Sequence, residues 1–114
     1  MLGFGSGIRY FVCSEPVDMR NSFDGLAGIV RNFLRKDPIS DGVFVFLNKN
    51  RTHLKLLFWD GDGFALYYKR LERGRFHLNT AGNELSVELD RASLNMLLDG
   101  VVPVGKKHLK RYSI

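Results

Sequence analysis

Two aspartates and a run of cations are the residues whose types and spacing suit chemistry. Asp60 and Asp62 stand two apart in WDGDGF, and with Asp18 or Glu72 they would form an oxygen set for Mg²⁺ and phosphoryl transfer. A tight hairpin turn selects the same Asp-Gly-Asp-Gly string for backbone reasons alone. His53, His77 and His108 have no zinc-ligand spacing and no cysteine partners. Cys13 is the only cysteine; it falls in an apolar alternation, reads as a small buried residue and excludes an internal disulfide. No serine sits in a nucleophile elbow, and no glycine loop ends in Lys-Ser or Lys-Thr. The residues therefore predict a protein that is not an enzyme, with no catalytic residue, metal or cofactor. A Mg²⁺-dependent nuclease using Asp60 and Asp62 is the weakest alternative.

The cations carry a stronger pattern. Residues 1–47 balance five cations against five carboxylates, 48–77 carry seven against three, 78–105 one against four, and 106–114 four against none. The whole surplus behind the net charge of +5 thus lies in two blocks, as in a protein that meets an acidic partner, nucleic acid being the usual one. Lys49, Arg51, Lys55, Lys69, Arg70, Arg73 and Arg75 form the first block, and Lys106, Lys107, Lys110 and Arg111 the second. Glu72 is placed to tether one arginine of the first block and orient the others.

These side chains need elements to position them. Thr52 to Trp59 and Phe64 onward both alternate as strands around an Asp-Gly bend, which reads as a β-hairpin. Joining Phe58 with Phe64 or Leu66 on one greasy face calls for a loop of three or five residues, with Gly61 or Gly63 supplying a positive φ. That register puts Phe58, Phe64 and Tyr68 in the core. It gathers Lys55, Tyr67 and Lys69 on the other face, where a ring among cations suits phosphates and unstacked bases. Trp59 is left as a stacking platform or a partner anchor.

Elsewhere, Ile8 to Cys13 reads as a first strand. Phe23, Leu26, Ala27, Val30, Phe33 and Leu34 recur at helical spacing, with Asn21 or Ser22 as cap and Lys36 before Asp37-Pro38 as the end, giving one long helix. Gly25 and Gly28 leave a bare strip on it for close approach of a sheet or partner. Asp18 and Arg20 precede it, either as an ion pair fixing the approach turn or as partner-binding residues. Val43 to Leu47 is apolar throughout, as in a strand covered on both faces. Arg75 to Leu78 suits a short strand, Leu85, Val87 and Leu89 a last one, and Asp90 caps a short helix with Leu94, Leu97, Leu98 and Val101 inward.

The expectation is α+β: a mainly antiparallel sheet of five to six strands, with one long helix and one short C-terminal helix on one side. At 114 residues the chain makes one domain, 1–105, followed by a basic tail, 106–114. With 45% apolar and 25% charged residues, no secretory leader and no run of ~18 apolar residues, a cytoplasmic location without membrane contact is expected.

Four ordered blocks, DMRNSFDGL at 18–26, VFVFLNKNR at 43–51, LKLLFWDGDGF at 54–64 and YYKRLERGRF at 67–76, carry a resemblance. Together they resemble the small Orf2-like accessory protein, often called TnpB, of the bacterial insertion-sequence-sixty-six transposons. The likeness runs from about Arg9 to Gly100. Matching positions are Asp18, Met19, Arg20, Asp24, Gly25 and Leu26, then Trp59, Asp60, Gly63, Lys69, Arg70, Leu71, Glu72, Gly74 and Phe76. The resemblance implies participation in transposition without being the catalytic transposase, and as partners that transposase and a second accessory protein of the same element. Two readings follow: a non-catalytic accessory protein binding DNA through the basic hairpin end and tail, or a module that binds the transposase without touching DNA. Oligomeric state is not legible in the residues.

Overall fold

The computed structural model describes residues 3–79 and 82–100. The C-terminal block with Lys106, Lys107, Lys110 and Arg111 lies outside the described residues, as does Val101. Elements follow in the order β1 (Tyr10–Cys13), α1 (Phe23–Asn32), β2 (Val43–Leu47), β3 (His53–Trp59), β4 (Phe64–Arg70), β5 (Ser86–Leu89) and α2 (Arg91–Leu98). The strands form one sheet in the order β4-β3-β2-β1-β5.

The α+β class and five strands are as expected, but the sheet is mixed. β1 and β2 pair in parallel, Tyr10 beside Val43 and Val12 beside Val45, while every other pairing is antiparallel. α1 supplies the crossover that a parallel pair needs. β5 returns to the far side of β1, so the later strands are not a simple meander. Arg75–Leu78 forms no strand.

The helices lie on opposite faces, not on one. Phe11, Cys13, Phe44, Phe46 and Leu57 pack with Leu26, Ala27, Val30 and Leu34 of the α1 side. Tyr10, Val12, Val43, Val45, Leu47, Leu54 and Leu56 pack with Leu94, Leu97 and Leu98 of α2 and with Phe76. Successive side chains of a strand point to opposite faces, so a continuous run such as VFVFL serves both clusters.

The expected long helix is ten residues, little more than the eight of α2. Arg35 turns to φ 60°, and the Leu34 and Lys36 amides reach back to the Ile29 and Val30 carbonyls, closing α1 before Lys36. Pro38 disfavours helix at Asp37, and the Asp37 and Asp41 side chains accept amides of the turn that follows. Ser22 is the N-cap residue, without a side-chain hydrogen bond, whereas Asp90 caps α2 by accepting the Ser93 amide.

The hairpin register also differs. Trp59 pairs with Phe64, Leu57 with Leu66 and Lys55 with Tyr68, leaving a four-residue loop, Asp60–Gly63, closed by the Asp60 amide on the Gly63 carbonyl. Gly61 takes the positive φ, 82°. An even loop puts Phe58 and Phe64 on different faces, which inverts the expected assignment along β4. Lys55 and Tyr68 share the α1 face; Tyr67 and Lys69 lie on the α2 face.

Candidate functional site

The β2–β3 turn and the exit of β4 meet at one end of the sheet because His53 pairs with Arg70. Asn48 organises the turn. Its side-chain oxygen accepts the Thr52 and His53 amides, which orients the amide group and directs its nitrogen at Thr52 Oγ1 and His53 Nδ1. Since that nitrogen only donates, Nδ1 is assigned as an acceptor and the ring proton to Nε2. Arg51 adopts φ 57°, donates from its guanidinium to the Leu78 carbonyl and accepts the Phe76 amide on its own. Leu71 donates to Thr52. The segment from Leu71 to Phe76 is thus held at both ends against the turn, with Arg73 and Arg75 exposed on it.

This end gathers five of the expected cations: Lys49, Arg51, Arg70, Arg73 and Arg75. Arg70 is tethered by Glu72, Nε to Oε2 at 2.9 Å, as the sequence suggested. Lys49, Arg73 and Arg75 are exposed and belong to no ion pair among the described residues.

Lys55 and Lys69 do not join them on a shared surface. Lys55, 6% exposed, donates to the Met19 and Asn21 carbonyls at 2.7 and 2.6 Å and lies 4.7 Å from the Tyr68 ring centre. Lys69, on the opposite face, donates to the Leu98 carbonyl at 2.6 Å, where cations complement a helix C-terminus. Both ammonium groups serve the fold. Tyr67 packs on the α2-side core, and Trp59 is half-buried edge-on against Phe64, ring centres 5.1 Å apart.

Asp18 and Arg20 form the expected ion pair at 2.7 Å, and Asp18 also accepts the Arg20 amide. Those bonds from Arg20, helped by the Lys55 charge, lower the Asp18 carboxyl to about 2. Between this pair and the β2–β3 turn opens a groove of about 480 Å³ lined by Pro16, Val17, Asp18, Met19, Asn48, Lys49, Asn50, His53 and Tyr68. Tyr68 is 52% exposed, and with His53, Arg70 and Glu72 it borders a second hollow. Sequence reasoning missed Tyr68 and His53 as site residues. In the adjacent pair Tyr67-Tyr68 one ring must face each side, and the register expected from the sequence chose the wrong one.

Asp60 and Asp62 are exposed in the hairpin loop, at the other end of β3 from Asp18 and Glu72. A seven-residue strand spans roughly 20 Å, so these carboxylates do not converge as the Mg²⁺ reading required. Among the described residues no three His, Cys, Asp or Glu side chains are grouped to hold a metal ion. No helix among them is long and apolar enough to cross a membrane.

Comparison with known proteins agrees with the four blocks read in the sequence. An uncharacterized protein of Sinorhizobium fredii, y4jC, is 40% identical over 76 residues; the match covers 67% of this chain and 65%, just under two thirds, of that relative. A second from the same organism, y4hO, also uncharacterized, is 35% identical over 101 residues, covering 89% of this chain and 87% of the relative. No solved structure matches. The family described as IS66 Orf2 like protein matches residues 8–107, and the chain belongs to that family.

Proposed function

We propose that this protein is a non-catalytic accessory protein of transposition that meets DNA with the basic end of its sheet. Family membership supports the transposition role. The observation that carries the DNA contact is the convergence of the β2–β3 turn and the 71–76 segment, which sets Lys49, Arg73 and Arg75 beside the tethered Arg70. Long cationic side chains at such an end reach phosphates without reading base edges, and Tyr68 on the adjoining face can stack an unpaired base. The basic block 106–114 would add contacts of the same kind.

A mobility-shift series across salt tests this. With Lys49, Arg70, Arg73 and Arg75 engaged, log affinity for duplex DNA should fall with log salt at a slope of about −3 to −4. Replacing Lys49, Arg73 and Arg75 together by glutamine should weaken binding equally for every DNA sequence and flatten the slope. No retardation by the full chain at low salt would end the proposal.

The groove beside Tyr68 favours a second reading, docking on the transposase. The groove and the adjoining hollow share His53 and a half-exposed tyrosine of the kind that anchors protein interfaces, and the charges beside them are already paired, Asp18 with Arg20 at the groove and Arg70 with Glu72 at the hollow. It predicts that Tyr68→Ala abolishes co-purification with the transposase while the triple glutamine variant retains it.

A further inference from the structure

We infer that β4 is a self-complementary edge through which two copies of this chain join their sheets. β4 is the terminal strand of the sheet among the described residues, and its backbone polarity follows from the hairpin. The Asp60 amide bonds to Gly63 at one end of the ladder, and the Leu71 amide bonds to Thr52 at the other. Bonded and non-bonded pairs alternate in an antiparallel ladder, so the bonded pairs between them are Phe58–Ala65, Leu56–Tyr67 and Leu54–Lys69. Ala65, Tyr67 and Lys69 therefore spend both backbone groups on β3. Phe64, Leu66, Tyr68 and Arg70 direct theirs outward, and no backbone bond among the described residues meets them.

Exposed edges are ordinarily blunted by proline, a bulge, shortness or charge. β4 runs seven residues, pairs with β3 in unbroken register, contains no proline and is uncharged from Phe64 to Tyr68. The charge of Lys69 is turned back onto Leu98.

The occupant follows from the register. Antiparallel pairing of β4 with the β4 of a second copy, centred on Tyr67 against Tyr67, makes Leu66 opposite Tyr68 and Phe64 opposite Arg70 the bonded pairs. Every outward N–H and C=O is then satisfied. Shifting the centre to Leu66 or Tyr68 leaves part of the outward set beyond the end of the facing strand. In the centred register no like charges oppose: Lys69 faces Ala65, and Arg70 faces the Phe64 ring, a cation–π geometry. Tyr68 gains the Leu66 side chain of the second copy on its own face. Each copy carries a net charge of +5, so salt should strengthen this association, the reverse of its effect on DNA binding.

Sedimentation velocity of the full chain over about two decades of concentration, at moderate salt, tests the inference. The expected result is a shift from 13.0 kDa toward twice that mass. Hydrogen exchange should slow with concentration at the Phe64, Leu66, Tyr68 and Arg70 amides, while Tyr67 and Lys69 stay slow throughout. Tyr68→Pro removes an outward amide, no bond of the β3–β4 ladder, together with the ring beside Lys55, and should give a folded monomer; Tyr68→Ala, which loses the ring and keeps the amide, should still dimerise. A monomer at every concentration would overturn the inference, as would a dimer whose four outward amides exchange unchanged, or a folded Tyr68→Pro that associates like the wild type. Should Tyr68→Pro fail to fold, the exchange measurement on the wild type decides.

Discussion

Taking a lysine head group out of water is costly unless oxygen acceptors replace its hydration, and Lys55 finds two in the Met19 and Asn21 carbonyls just before α1. Lys55→Met keeps the aliphatic stem but leaves both carbonyls without their donor, a loss of about 2–4 kcal/mol. Urea unfolding measures it; a loss below about 0.5 kcal/mol would mean that water replaces the ammonium there without penalty. The neighbouring Asp18 gives a pH signature. Its carboxyl is held at about 2 against an ordinary 3.8, so its contribution is present above the unfolded value and is lost as pH falls through about 2. Asp37, Glu88 and Asp90 are lowered too, by amide or arginine hydrogen bonds, and act in the same direction. Melting temperature should therefore drop steadily from pH 4 to pH 2. Asp18→Asn should flatten part of that drop and converge with the wild type at the acid end; identical profiles would show that the pair contributes nothing to folding.

At the scale of the element, α1 carries two glycines with opposite consequences. A Cβ on Gly28 would meet nothing within 4 Å, whereas one on Gly25 would collide with the Asn21 side-chain oxygen, whose amide nitrogen is bonded to the Asp18 carbonyl. Gly28→Ala should stabilise by about 0.5–1 kcal/mol, while Gly25→Ala should lose that gain or reverse it. Thermal unfolding of the two variants side by side checks the sign of each. The strip read in the sequence is thus not a docking surface for the sheet: one glycine makes room for a turn and the other is open. Existence and type were legible for all seven elements, from helical spacing in the helices, alternation in β1, β3, β4 and β5, and an unbroken apolar run in β2. Register was not. β3 reads HLKLLFW, with Leu56, Leu57 and Phe58 consecutive, and β2 is apolar throughout, so both faces are greasy and parity cannot be chosen from pattern alone. That same doubling was the available sign that a helix covers each face and that β1 and β2 run parallel. The site suffered accordingly. Lys49, Arg51, Arg70, Arg73 and Arg75 come together at one end because the hairpin alone brings them there, whereas the grouping of Lys55, Tyr67 and Lys69 needed the parity, and it fails.

Across the whole molecule, one sheet separates two cores. Val43, Val45 and Leu47 of β2 belong to the α2 side, and Phe44 and Phe46 to the α1 side, so neither core can be lost without unseating a strand that the other depends on. Leu26 on α1 and Leu98 on α2 are both fully buried, and truncating either to alanine should cost about 2–5 kcal/mol. Because the strands are shared, each loss should appear as one cooperative transition displaced as a unit. Trp59, the single tryptophan, lies on the α1 face and reports that side by fluorescence, while far-ultraviolet dichroism reports every element. Leu98→Ala, on the face remote from Trp59, is the decisive variant. Its fluorescence and dichroism midpoints in urea should coincide and move together below the wild-type value. A fluorescence midpoint left at the wild-type value beside an earlier dichroism change would mean that α2 and its core unfold separately. The basic end would then be held by the α1 half alone, since Lys69 and Phe76 would have lost the face they pack on.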